Sequence, residues 1–127
     1  MEVLAAAAEL VRAFGSHDKS AYFTCFAPEA TFIFHNHPAT LQSRGEYEQL
    51  WDEWERRDAF RVLDCRSSNQ GVAMFGTMAL FTHDVRSRTI SSGGESTSNE
   101  RETIVFARRD GRWLAVHEHL SAAPPSD

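Results

Sequence analysis

ETIVFARRDGRWLAVHEHLS, residues Glu102–Ser121, reads as two strands joined by a tight turn. Thr103, Val105 and Ala107 alternate with Ile104 and Phe106, the period of two that suits a half-buried strand. Asp110-Gly111 supplies the positive φ that a two-residue hairpin turn requires. On the return strand strict alternation puts Trp113, Ala115, His117, His119 and Ser121 on one face. Leu114, Val116, Glu118 and Leu120 then take the other. Two imidazoles therefore share a face, Glu118 points away from both, and a functional site is expected near the histidine pair.

Working outward, Gly71–Val85 (GVAMFGTMALFTHDV) reads as one long strand, with Gly76 marking a bulge or bend. Arg86–Asn99 is rich in Ser, Thr and Gly and is expected to be a mobile hairpin loop. Phe60–Ser67 and Ala30–His37 are further strands, the latter closed by Pro38. In it Phe32, Phe34 and Asn36 face opposite to Ile33, His35 and His37. Three helices precede or interrupt these strands. The first carries Val3, Ala7, Leu10, Val11 and Phe14 on one side and stops at Gly15. A short second helix, capped by Asp18, carries Tyr22, Phe23 and Phe26 and ends at Pro28. Ser43 and Glu46 form a capping box for the third, which sets Tyr47, Leu50, Trp51 and Trp54 along one stripe and charges along the other face. The stripe is most simply core, with a pocket lid as the alternative.

Composition bounds the function. The chain has 127 residues, 42% of them hydrophobic, enough for a single domain with its own core. A formal charge of −5 excludes the basic surface that nucleic acid requires. Cys25 and Cys65 are too few for a disulfide framework and are expected to be buried free thiols. No apolar stretch reaches membrane-spanning length, and the opening residues lack a basic region followed by an apolar run. A cytoplasmic protein with no membrane partner is expected. Residues 122–127 are expected to be a flexible tail to one domain spanning 1–127.

The run RRDGRW followed by VHEHLS resembles the C-terminal hairpin of the nuclear-transport-factor-2-like superfamily. It is most similar to SnoaL-like and ketosteroid-isomerase-like proteins, and to the association domain of calcium/calmodulin-dependent kinase II. The helix and strand order agrees with that resemblance over nearly the whole chain. It implies an α+β fold, a strongly curved antiparallel sheet wrapped as a cone over three helices, and a homodimer through the sheet. In the kinase domain arginines accompany the His-x-His-Ser motif, whereas the corresponding positions here look like Ile104 and Leu120. That implies a more apolar pocket and argues against carboxylate binding.

Histidine titrates nearest neutrality and suits proton transfer. His37, His83, His117 and His119 are therefore the catalytic candidates, with Phe34, Tyr47, Trp51 and Trp54 shaping a substrate pocket. The acids Asp64, Asp84, Glu100, Glu102 and Glu118 are read as solvent-facing or at the rim. The resulting expectation is a small, apolar, oxygenated ligand in the cone, with isomerisation, dehydration or cyclisation by histidine-mediated proton transfer. No glycine loop cradles a phosphate, and no cofactor or metal is assigned. The alternatives are a non-catalytic homodimeric binding or assembly module and a metalloenzyme in which His35-x-His37 and His117-x-His119 converge. A cavity of a few hundred Å³ holding an inward titratable group would favour the enzyme. A filled cone with the histidines on the outer sheet face would favour assembly.

Overall fold

The computed structural model describes residues 2–124. Three helices and five strands follow in the order α1 (Glu2–Gly15), α2 (Lys19–Thr24), β1 (Phe26–Phe34), α3 (Arg44–Asp58), β2 (Arg61–Phe75), β3 (Met78–Ser91), β4 (Gly94–Arg109) and β5 (Arg112–Ala122). The strands form one sheet ordered β1-β5-β4-β3-β2, antiparallel except for the parallel β1–β5 pair. The sheet curls without closing, so β1 and β2 remain as edges, and the expected cone-like α+β fold is what the chain adopts. Pro28, which has no N–H to give a ladder, sits within β1, an edge strand, where its pairing to β5 is interrupted between Phe26 and Thr31.

Irregularities in the ladders accompany the curl. Val105 pairs with His117 but Phe106 pairs with Ala115, so Val116 is an extra residue on β5. Leu63 plays the same part on β2, and a second β2 bulge contains Asn69 at φ 53°. The Val116 bulge changes which residues share a face. Ala115 remains on the inner face with Phe106, and beyond the extra residue Glu118 and Leu120 join it, each paired with an inward residue of β4. Unbroken alternation would have put Ala115 on the side of His117.

The long run Gly71–Val85 is a hairpin, not a strand. Gly76 at φ 65° and Thr77 form a two-residue turn that pairs Phe75 with Met78. The segment expected to be a mobile loop is instead the continuation of β3 and β4, whose ladder runs unbroken from Met78↔Ala107 to Ser91↔Gly94. Its inner face carries Ser87, Thr89, Ser91, Ser96 and Ser98, because this end of the sheet lines a hollow and has no apolar core to face. The hairpin tip is tied down where Ser92 N donates to Asp58 O at the end of α3 (2.6 Å). Two other boundaries move. Phe26 belongs to β1 and not to the second helix, and β1 ends at Phe34, so Asn36 and His37 lie in the following loop. Ala122 and Ala123, expected in the flexible tail, are tied to the sheet: β5 runs to Ala122, and Ala123 N donates to Asn99 O (3.0 Å). Residues 125–127 lie outside the described residues.

The helices pack on the inner face of the sheet. Buried Val3, Ala7, Leu10 and Ala13 seat α1, whose Gly15 closes on β2; a Cβ there would stand 3.1 Å from Cys65 N. The αL residue that turns the chain after α1 is His17 (φ 53°). Its Nδ1 accepts from Val62 N (3.0 Å), so its Nε2–H donates to Glu55 (2.8 Å), joining the α1–α2 turn to β2 and α3. Ser43 caps α3 by accepting from Glu46 N (3.2 Å), while the Glu46 carboxylate reaches back to Gln42 N (3.0 Å). Tyr22, Phe23, Phe26, Phe32, Tyr47 and Trp51 then interlock edge to face, with Phe32 and Tyr47 centroids 4.7 Å apart.

Candidate functional site

Between the inner sheet face and the helices lies a cavity of about 440 Å³, the size of a small-molecule site. Glu102 and Glu118 in its floor belong to a set of connected titratable side chains that continues behind them. His83 is buried on β3, with Nε2 2.6 Å from Glu102 Oε1 and Nδ1 2.6 Å from Ser67 Oγ. Every group is satisfied if Ser67 donates to Nδ1 and the Nε2–H donates to Glu102. Burial lowers the His83 pKa despite the nearby charges of Glu118 and Asp84. A neutral imidazole follows at neutral pH.

Glu102 on β4 and Glu118 on β5 hydrogen-bond each other and are both buried. Burial raises the pKa of each. For Glu118, pushed well above the usual carboxylate range, the charge of Glu102 adds to it. Two like charges in contact cannot both ionise cheaply, so the pair holds one proton. No donor among the described residues reaches Glu118 Oε1. That oxygen has only the pair's own proton or a ligand to satisfy it.

Above this floor Tyr22 and Tyr47 hydrogen-bond each other (OH–OH 3.0 Å), and burial raises both phenols well above their ordinary value. They remain neutral, and one hydroxyl proton is left over for a ligand. Toward the mouth, Glu100 accepts from Ser98 Oγ (3.2 Å) and contacts His35 Nε2 (2.6 Å). Trp54 and Phe34 wall the same space. Neither cysteine is poised to react, since burial pushes Cys65 up to about 12 and Cys25 up to about 11. Both are free and only partly buried.

The residues singled out from sequence therefore divide. His37, Phe34, Tyr47 and Trp54 line the cavity, whereas His83 is buried behind Glu102 and is not part of the lining. Trp51 does not line it: it is fully buried against Tyr22 (5.5 Å) and Phe60 (5.2 Å) in the aromatic core. His117 and His119 lie on the outer face, opposite the cavity. His117 Nδ1 contacts Thr31 Oγ1 (2.7 Å), and His119 is exposed. The two HxH segments do not converge, and among the described residues no group of three His, Cys, Asp or Glu side chains is arranged to hold a metal ion. Of the acids expected to face solvent or the rim, Glu100, Glu102 and Glu118 are inside, while Asp64 and Asp84 stay partly exposed and outside the cavity. The lining is acidic and hydroxyl-rich where an apolar one was expected. The signal was present in β4: Glu100 and Glu102 fall on the alternation face of Ile104 and Phe106, the buried one.

A curled sheet over three helices, with an inward acid pair beneath a cavity, defines a cone-shaped α+β protein of the nuclear-transport-factor-2-like class. A family model described as the SnoaL-like domain matches residues 3–125, and the chain belongs to that family. Solved structures share the fold at low identity. A protein of unknown function described as NTF2-like, from Rhodospirillum rubrum, is 16% identical, with a TM-score of 0.82 over 98% of this chain and 100% of its own. The hub of the S. rosetta calcium/calmodulin-dependent kinase II is 24% identical, with a TM-score of 0.76 over 96% of this chain and 95% of the hub. A protein of unknown function from Mycobacterium tuberculosis is 14% identical, with a TM-score of 0.78 over 98% of this chain and 71% of its own. No helix among the described residues is long and apolar enough to cross a membrane.

Proposed function

We propose that the cavity binds a small oxygenated molecule and exchanges a proton with it through the Glu102–Glu118 pair, as an isomerase or lyase would. The observation that carries this reading is the buried, unpartnered Oε1 of Glu118 on a carboxyl that shares one proton with its neighbour. Such a pair offers an acid and a base at one spot near neutral pH, which acid–base catalysis requires. His83 acts through Glu102 as a positioning residue, holding its carboxylate by one 2.6 Å contact. The experiment is a screen of small ketones, enones and hydroxylated compounds by thermal shift. Compounds that bind are then incubated in D2O and followed by proton NMR. Deuterium incorporation by the native chain, lost in Glu118→Gln and Glu102→Gln, is the expected result. Incorporation that persists in both variants would sink the reading.

A second observation supports self-association alongside this role. The outer face, with Ile33, Leu80, Val105 and His117 on neighbouring strands, has no helix over it, as a homodimer through the sheet would need. The structure divides the two tests set out from the sequence: the cone is hollow, as an enzyme needs, and the histidine pair is outside, as an assembly module needs.

A further inference from the structure

We infer that the cavity's ligand is a small organic cation, a protonated amine on an aromatic or short alkyl body, whose N–H groups reach Glu118 Oε1. This rests on the small-molecule cavity proposed above, not on its proton exchange, and adds an ammonium group to the ligand that enters it. Three independent features of the site converge on it.

The first is the orphaned acceptor. Glu118 is 3% exposed and its Oε1 meets no donor from the described residues, whereas both Glu100 oxygens have partners. When the pair's own proton is not on it, that buried acceptor is unpaired, so a ligand that supplies a donor there gains by relieving it. An ammonium offers three.

The second is charge. Among the described residues that line the cavity, Asp58, Glu100, Glu102 and Glu118 are acidic and none is Lys or Arg. The titratable groups facing Glu118 come from every surrounding element: Tyr22 on α2, Tyr47 on α3, Cys65 on β2, His83 on β3, and Glu100 and Glu102 on β4. The phenols and the buried imidazole are neutral, so the carboxyls set the sign of the potential. A carboxylate or phosphate ligand would meet net repulsion from the carboxyls, with no Lys or Arg to offset it.

The third is the opposite wall. Phe34, Tyr47 and Trp54 present aromatic surface to the space above the acids. Ring faces attract an organic cation and stack on an aromatic body. They offer nothing to a metal ion, and the absence of a three-residue ligating group among the described residues points the same way.

Binding then exchanges one cation for another. The ammonium displaces the proton that Glu102 and Glu118 share, and that proton leaves to solvent. Affinity should therefore climb with pH, by up to about tenfold per unit while the pair still holds its proton. Amines of this kind stay charged throughout, with pKa values near 10.

The test is isothermal titration calorimetry with phenethylamine, phenethyl alcohol and phenylacetate, from about pH 6 to about pH 8. The expected result is phenethylamine binding at least about tenfold tighter than the alcohol, no binding of phenylacetate, and proton release detected as a buffer-dependent heat. In Glu118→Gln the pH dependence disappears and the preference for the amine collapses. Glu102→Gln, judged by the same readout, serves if that variant fails to fold. Tighter binding of the alcohol or of phenylacetate overturns the ligand class but leaves a small-molecule cavity standing. Binding of calcium or zinc alone, lost in Glu118→Gln, overturns it too. If no probe binds at millimolar concentration, the ligand class and the small-molecule reading both fail.

Discussion

Burial and the neighbouring Glu102 favour the protonated form of Glu118 over the ionised one. Its raised pKa means that the folded chain binds that proton more tightly than the unfolded chain does. The associated stability is complete below the ordinary carboxylate value of 4.5 and is lost as pH rises through the raised one. Gln at the same position keeps the shape and never ionises. Thermal melts of Glu118→Gln and the native chain should therefore be closest in mild acid and diverge by a few degrees in favour of the variant toward alkaline pH. Parallel melting curves across that range would mean that the pair carries no shared proton. His83 shifts in the opposite sense: burial lowers it, so its contribution is complete above its ordinary value of 6.5 and falls as pH drops through the lowered one. His83→Leu strands the Glu102 and Ser67 partners and should cost roughly 1–3 kcal/mol in urea unfolding at neutral pH. A loss below half a unit on that scale would show the contacts to be incidental. Alternation puts His83 on the strand face of Phe81 but does not say that this face looks inward. Nor does it reveal that acids are its partners, because a carboxylate on a strand is ordinarily read as solvent-facing, and only the fold shows the hollow that keeps these inside.

Among the elements, α3 was the most legible, since cap, stripe and charged face all speak with the period of a helix. Ser43 and Trp51 can be weighed against each other. Removing the cap in Ser43→Ala should cost about 1 kcal/mol. Emptying the fully buried Trp51 site in Trp51→Ala should cost about 3–5 kcal/mol, because Phe14, Tyr22 and Phe60 lose their partner and cannot fill the gap. Chemical denaturation of the two variants checks the order, and a Trp51 cost no larger than the cap would place that ring outside the core. The strands were harder to read for two physical reasons. Period-two patterning carries no marker for a two-residue turn, so the Gly76 hairpin merged into one strand. A bulge such as Val116 shifts the phase without any residue type that announces it. The Ser/Thr run reads as a loop because its inner face is as polar as its outer one, as a strand over a hollow must be.

At the scale of the whole molecule, the three-helix, five-strand order and the single sheet were legible because hydrophobic periodicity counts elements well even where it misplaces their ends. Which face looks inward was not, since alternation is symmetric until packing breaks it. That choice placed His117 and His119 outside, on a surface where Leu80 pairs with Val105 across β3 and β4, Ile33 lies beyond β5 on β1, and the described helices leave them uncovered. An apolar strip on a sheet face is ordinarily covered by a partner. A second copy of the same face meets it with matching shape and closed two-fold symmetry. Light scattering coupled to size exclusion at micromolar concentration should therefore give a two-chain mass for the native protein. Ile33→Arg puts an unpaired charge into the strip and should return the chain to one-chain mass while leaving phenethylamine binding within about twofold, because the cavity opens on the opposite face. A native monomer would remove the dimer and leave the cavity reading intact. A dimer that survives Ile33→Arg would move the contact to another surface. Loss of amine binding together with the dimer would show that the cone is held in shape by the partner chain, and would join the site to the assembly.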